Sequence, residues 1–226
     1  MGAGPAAGAG GPGRPGGGVH PGSGPGAGEG TGAPPGAGGL PAGTPPATGG
    51  GNARIDRVLF TQEEIAAKVA ELAARIRDDY RGKPLTVVGI LKGAFVFTAD
   101  LVRALGVPLR VDFMAVSSYG SATQTSGIIR ILKDLDRPIR DQHVLLIEDI
   151  VDTGLTLRYL REHLLAQGPA SLRACVLLDK PERRQVDVPV EYVGFTIPDE
   201  FVVGYGIDYA EQFRYLPYIA CVRLEG

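Results

Sequence analysis

The residues Glu148-Asp149-Ile150-Val151-Asp152-Thr153-Gly154-Leu155-Thr156 hold the densest set of reactive groups in the chain. They follow the wholly apolar run Val144-Leu145-Leu146-Ile147. Two adjacent carboxylates at the end of such a run can accept hydrogen bonds from a diol or hold a hydrated Mg²⁺. The turn Asp152–Thr156 offers backbone N–H groups, two hydroxyls and a glycine that permits close backbone approach. At a helix N-terminus this is a cradle for a phosphate. Phosphate, diol and metal within one short turn describe a ribose 5-phosphate. The plainer reading of the same residues is an N-capped helix with solvated acids, and T-G-x-T by itself would not exclude it. Two acids aimed from an apolar strand into one turn argue against that reading. No G-x-x-x-x-G-K-[ST] occurs, which disfavours a Walker-type NTPase site.

The elements that must position this turn can be read from the periodicity around it. Thr61 and Glu64 have capping-box spacing, and Ile65, Val69, Leu72 and Ile76 recur as one face of a helix reaching about Tyr80. Gly82 and Pro84 end it. Leu85–Leu91 reads as a buried strand, Lys92-Gly93 as a turn, and Ala94–Leu105 as a helix stopped by Gly106-Val107-Pro108. Leu109–Ser118 and Ile128–Leu132 read as strands, separated by the polar stretch Ser118–Ser126, which reads as a long mobile loop. Val144–Ile147 has the continuous β-branched character of a central parallel strand. Leu155–Ala166 follows as a helix and Leu172–Leu178 as a strand. Beyond Asp179 come the short strands Val190–Ile197, Phe201–Val203 and Tyr218–Leu224.

This alternation predicts an α/β fold: an open, mostly parallel sheet flanked by helices, with a small hood or flap from the C-terminal part. Ligands of such sheets bind beyond the carboxyl ends of the strands. Three polar turns qualify: Leu91–Gly93, Glu148–Thr156 and Asp179–Lys180.

Composition separates two polymers. Of 34 Gly and 18 Pro in 226 residues, 22 and 10 fall in residues 1–51, a stretch with two charged side chains, Arg14 and Glu29. Such a segment has little apolar area to offset the entropy of ordering glycine, and it lacks a G-X-Y period. Residues 1–52 are therefore expected to be a disordered low-complexity tail and 53–226 one domain. The tail has neither the n-region and h-region of a secretory signal nor the Arg and Ser richness of a transit peptide. The net charge of −2 belongs to the domain, so no basic excess points to nucleic acid. No run of about 18 apolar residues points to a membrane span. Cys175 and Cys221 lie in apolar strand-like runs without C-x-x-C spacing and read as buried reduced thiols. A cytoplasmic protein is the expectation.

Ile147-Glu148-Asp149 through Thr156 resembles the phosphoribosyl-pyrophosphate (PRPP) motif of the type I phosphoribosyltransferases. Leu91-Lys92-Gly93, Ser117-Ser118-Tyr119-Gly120, Leu178-Asp179-Lys180-Pro181 and Pro198 through Tyr209 are similar to the hypoxanthine-guanine members of that family. The resemblance covers about residues 56–224 and says nothing of residues 1–51. It implies transfer of a phosphoribosyl group from PRPP to a 6-oxopurine, giving IMP or GMP and releasing pyrophosphate. It also implies Mg²⁺ and a homodimer or homotetramer.

Carried over residue by residue, Glu148 and Asp149 match the acids that bind the ribose hydroxyls, directly or through metal-bound water. Thr153, Gly154, Leu155 and Thr156 match the 5′-phosphate loop. Asp152 matches the carboxylate at purine N7, a general base; its other reading is a helix N-cap. Lys180 matches the donor to the purine 6-oxygen, which favours a carbonyl over adenine's amino group. Phe201 matches the ring stacked on the purine, and Val202 the residue whose backbone reads the exocyclic position. Asp208 matches a second metal ligand. Lys92, Gly93 and Arg214 match pyrophosphate contacts, with the Leu91–Lys92 peptide often cis in the family. Ser118 and Tyr119 match the start of a lid. Without the resemblance, Lys180 would read as a surface lysine, Phe201 as core and Arg214 as a solvated helix face.

Two other readings stand beside the enzyme. One is a non-catalytic sensor of PRPP or nucleotide on the same fold. Such regulators tend to lose the base-side carboxylate or to carry a basic face, whereas Asp152, Lys180 and Asp208 are all present and the domain is slightly acidic. The other is a transferase that prefers xanthine. His143 and His163 have no motif around them and read as structural or surface residues.

Overall fold

The computed structural model describes residues 53–119 and 128–224. The expected tail and most of the expected loop Ser118–Ser126 lie outside the described residues. The elements, in chain order, are β1 (Ala53–Phe60), α1 (Gln62–Asp79), β2 (Leu85–Leu91), α2 (Phe95–Leu105), β3 (Arg110–Tyr119), β4 (Ile128–Lys133), β5 (His143–Val151), α3 (Leu155–Leu165), β6 (Ser171–Asp179), a 3₁₀ turn (Pro181–Arg183), β7 (Tyr192–Thr196), β8 (Val202–Val203) and β9 (Ile219–Leu224).

Six strands form the main sheet in the order β4-β3-β2-β5-β6-β7, parallel except for the antiparallel β3–β4 edge. The chain moves from β2 outward to β3 and β4, then returns to the other side of β2 to lay down β5, β6 and β7. The direction of winding therefore reverses between β2 and β5, and a crevice opens beyond their carboxyl ends.

Both faces of the sheet are covered, which is why β2 and most of β5 are buried along their length. On one face α1 and α2 bury Leu72, Ile76, Phe97 and Leu101 against Val87, Leu145 and Ile147. On the other, α3 packs Leu157, Leu160 and Leu164 against Val88, Val144, Leu146 and Val176. The capping box of α1 is present: Glu64 N donates to Thr61 Oγ1 (3.2 Å) and Thr61 N to Glu64 Oε2 (2.8 Å). Cys175 and Cys221 are free thiols, both buried, as expected. Among the described residues no helix is long and apolar enough to cross a membrane.

Two features depart from the sequence reading. First, the hood is not built from the C-terminal part alone. Strand β1 pairs antiparallel with β9 from Ala53↔Leu224 to Phe60↔Ile219, and β8 lies on the other side of β9. The run before α1 alternates weakly, because β1 is an edge strand with bulges and mostly exposed side chains. Second, β5 does not stop at Ile147. Its partner β6 continues the ladder through Glu148↔Val176 and Val151↔Asp179, whereas pairing with β2 ends at Gly89↔Ile147. The two acids thus lie in the last turns of the pleat, with the β2 side of the strand released.

Candidate active site

The released edge of β5 meets the turn after β2. The Leu91–Lys92 peptide is cis, as the resemblance implied. Gly93 then comes so close to β5 that a Cβ there would overlap Asp149 Oδ2, and a Cβ at Gly206 would overlap the Gly93 carbonyl. Only residues without a side chain allow three backbone segments to converge here. Asp149 Oδ1 accepts from the Ile150 N–H at 2.8 Å. Asp208 is near enough for the two carboxylates to repel, and it is paired with Arg214 at 2.7 Å. Arg214 also donates to the Gly206 carbonyl at 2.8 Å. Lys92 reaches into the same group, donating to Glu211 at 3.0 Å.

The electrostatics of this junction are unusual for carboxylates. Glu148 is 7% exposed, and its Oε2 has no hydrogen-bond partner among the described residues. Burial, with Asp149 beside it, pushes the Glu148 carboxyl well above the usual range. Burial pushes Asp149 up to about 6, against the opposing pull of the Ile150 N–H and Arg214. Arg214 Nε is likewise buried without a partner. Buried groups with open hydrogen-bonding capacity are expensive unless they meet a ligand. Lone pairs and N–H donors both remain available at this one junction.

The phosphate-type turn sits one step further along. Gly154 is the N-cap of α3 in a left-handed conformation, and no side chain caps the helix. The N-cap reading of Asp152 is therefore not what the structure shows. Its carboxylate instead accepts from Arg183 Nε at 3.1 Å. Thr153 Oγ1 faces the Leu155 N–H at 3.4 Å. The Thr153 carbonyl accepts from Gln185 N (2.9 Å) and Val186 N (3.4 Å), so the segment after Lys180 braces the turn from behind. Apart from Leu155, whose N–H donates to Thr153 Oγ1, the first-turn amides of α3 are left for an anion, with the helix dipole favouring it.

Lys180 is 7% exposed, not the surface lysine of the plainer reading. Its backbone N–H bonds the Val151 carbonyl at 2.9 Å, and its ammonium lies 3.7 Å from Asp199. Phe201 is 48% exposed and meets Tyr209 edge-on at 5.4 Å, so it is not core. Val202 is buried in β8, paired with Cys221. Ser118 and Tyr119 end β3, opposite Ile129 and Ile128 of β4. Thr156 lies in the first turn of α3.

The structure thus gathers Lys92, Gly93, Asp149, Asp208 and Arg214 at the crevice, with Glu148 next to them. It links Asp152 to Lys180 through Arg183 and Asp199. The sequence reading missed Arg183, Asp199, Tyr209 and Glu211. Arg183 stands three residues after Lys180, a spacing that a 3₁₀ turn aligns, but nothing in the sequence announces that turn beyond Pro181. The site is separate from a cleft of about 600 Å³ lined by Arg77, Tyr80, Leu85 and Leu105 at the amino end of β2. His143 bonds Ser171 and His163 bonds Asp134, in keeping with structural or surface roles.

Residues 58–210 match the phosphoribosyl transferase domain. The chain is 54% identical over 169 residues to hypoxanthine phosphoribosyltransferase of Salmonella typhimurium, covering 74% of this chain and 95% of that one. It is 52% identical over 171 residues to hypoxanthine-guanine phosphoribosyltransferase of Mycobacterium bovis, covering 73% and 85%. A hypoxanthine-guanine phosphoribosyltransferase of Bacillus anthracis, solved with HEPES in its active site, matches with a TM-score of 0.72 at 48% identity. That match covers 76% of this chain and 99% of the other. With a junction of acids at the switch point of its sheet, and with these relatives, the chain belongs to the phosphoribosyltransferase family, in its hypoxanthine and hypoxanthine-guanine branch.

Proposed function

We propose that the chain is a purine salvage enzyme that transfers the 5-phosphoribosyl group from PRPP to hypoxanthine or guanine, giving IMP or GMP and pyrophosphate. The observation that carries this reading is the buried Glu148, whose Oε2 has no partner, standing beside Asp149 on the strand that leads into α3, a helix whose N-cap Gly154 has no side chain to cap it. A ribose 5-phosphate offers a diol to the one and a phosphate to the other. The relatives' names support the base: hypoxanthine, or hypoxanthine and guanine.

Thr153, Gly154, Leu155 and Thr156 hold the 5′-phosphate. Glu148 and Asp149 hold the ribose hydroxyls. Lys92 and Arg214 take the pyrophosphate, with the backbone at Gly93. Lys180 donates to the purine 6-oxygen, Phe201 stacks on the ring, and the Val202 backbone reads the exocyclic position. Asp152 accepts the N7 proton as the purine attacks the anomeric carbon. Ser118 and Tyr119 match the start of the family's lid, the rest of which lies outside the described residues.

The donor set fits Mg²⁺, which takes one or two carboxylates and completes its shell with water and phosphate oxygens. Asp149 and Asp208 repel each other, and Glu148 adds a third acid beside them. Among the described residues no three His, Cys, Asp or Glu side chains are grouped to hold a metal by themselves, so water and phosphate oxygens would have to complete its shell. When bound, Mg²⁺ neutralises charge on the departing pyrophosphate.

The test is incubation with PRPP and Mg²⁺ against hypoxanthine, guanine, xanthine and adenine, following pyrophosphate and nucleotide. Hypoxanthine and guanine are expected to react. Transfer to xanthine in preference to both moves the base assignment. Well-folded protein that turns over none of the four is a sensor and not an enzyme.

A further inference from the structure

We propose that Arg183 is a positioning residue that locks the base carboxylate Asp152 and the purine-reading lysine Lys180 into one frame, and so sets both turnover and base selectivity. The proposal deepens the transferase reading and rests on it.

The geometry begins in the backbone. Pro181–Arg183 is a single 3₁₀ turn, closed by Arg183 N to the Lys180 carbonyl at 3.2 Å and Arg184 N to the Pro181 carbonyl at 3.1 Å. Lys180 is the cap just before this turn, and its ammonium and the Arg183 guanidinium reach a common carboxylate. Asp199, from the loop after β7, lies between them. Its Oδ1 is 3.7 Å from the Lys180 ammonium and its Oδ2 is 3.4 Å from Arg183 Nη1. The other arm of the same guanidinium, Nε, holds Asp152 Oδ1 at 3.1 Å. The result is an alternating chain, Asp152–Arg183–Asp199–Lys180, with two negative and two positive groups and no net charge.

A guanidinium suits this task because it is a planar fork with fixed donor directions. On a 6-oxopurine, O6 and N7 are neighbours on one edge. The donor to O6 and the acceptor for N7–H must therefore stand at a fixed separation. The Arg183–Asp199 strut supplies that separation, and neither member needs to touch the purine. The adjacent Arg184 does a different job: it pairs with Asp179 and packs against Gly154, behind the phosphate turn. Two consecutive arginines thus serve opposite ends of the substrate, and only Arg183 faces the base side.

The test is steady-state kinetics of Arg183→Gln, Arg183→Lys and Asp199→Asn beside the wild-type chain. Arg183→Gln is expected to lower kcat with hypoxanthine by roughly 10- to 100-fold, since a small misplacement of a reacting group has that scale of effect. It should raise the hypoxanthine KM, leave the PRPP KM within about twofold, and narrow the preference for hypoxanthine over adenine. Asp199→Asn should shift the same parameters, and the double variant should be no worse than the poorer single one. Arg183→Lys should recover part of kcat by restoring one ion pair. A PRPP KM that rises as much as the hypoxanthine KM, or additive losses in the double variant, would make Arg183 a loop-stabilising residue and overturn the proposal. An active wild type with an unmoved Arg183→Gln variant overturns it alone; an inactive wild type overturns the transferase reading and this inference with it.

Discussion

Asp152→Asn preserves the size and place of the side chain beside Arg183 while removing its ability to take a proton. If Asp152 accepts the N7 proton, kcat should fall by roughly 10²–10⁴, the usual contribution of a general base. A rate equal to wild type would remove it from the mechanism. Asp149 supports a second test, on stability. Its carboxyl is raised from 3.8 to about 6 in the folded chain, chiefly by burial. Between those values the native state keeps a proton that the unfolded chain has released. Stability of the metal-free and ligand-free protein therefore falls as pH rises through that window and levels off above about 6. Asp149→Asn should flatten this slope and raise the thermal midpoint at neutral pH by several degrees, since each kcal/mol is worth about 2–4 °C in a domain of this size. Parallel melting curves for the two proteins from pH 4.5 to 7.5, taken at roughly half-unit steps, would show that Asp149 is not desolvated as described.

At the level of elements, the convergence of β2, β5 and the Gly206 segment is the feature most exposed to a single change. Gly93→Ala has nowhere to put its methyl except into Asp149. Overpacking of this kind costs roughly 1–3 kcal/mol and displaces a group that must be aligned. The expected outcome is a lowered thermal midpoint together with a PRPP KM raised at least about tenfold. An unchanged PRPP KM would mean that the turn after β2 does not serve the substrate. This junction also marks the limit of what a sequence conveys. Each helix and strand with a buried face was legible, because Ile65, Val69, Leu72 and Ile76, or the run Val144–Ile147, must repeat at the period of the surface they cover. The acids and the Thr153–Thr156 turn were legible for the same reason: polar groups are conspicuous after an apolar strand. Strand β1 was not, because a bulged edge strand need not alternate. Nor were the partners of Asp152. Arg183 and Asp199 meet it only after the 3₁₀ turn and the loop beyond β7 have folded, and no local pattern encodes that meeting.

For the whole molecule, the near-neutral charge means that the proposed anion binding has to be local, built by one helix end, one turn and a few paired cations. The parts of the chain outside that machinery can then be sorted by what they pair with. Strand β1 completes the hood sheet through β9, and its Arg57 holds both carboxylate oxygens of Glu200 at 2.6 Å, next to Phe201. It therefore supports the Phe201 segment, the proposed purine platform, although it lies at the far end of the sequence from it. Residues 1–51 hold none of the matched motifs, and their Gly and Pro content gives them little with which to pack. A chain lacking residues 1–51 should keep the kcat and the thermal midpoint of the full chain. A chain lacking residues 1–60 should lose several degrees of thermal midpoint and show a raised purine KM with little change for PRPP, because the edge of β9 is bared and Glu200 loses Arg57, keeping only the Cys221 thiol. Equal behaviour of the two truncations would mean that β1 is dispensable to the hood. A large loss from the shorter truncation would mean that the Gly/Pro segment contributes to the fold in spite of its composition.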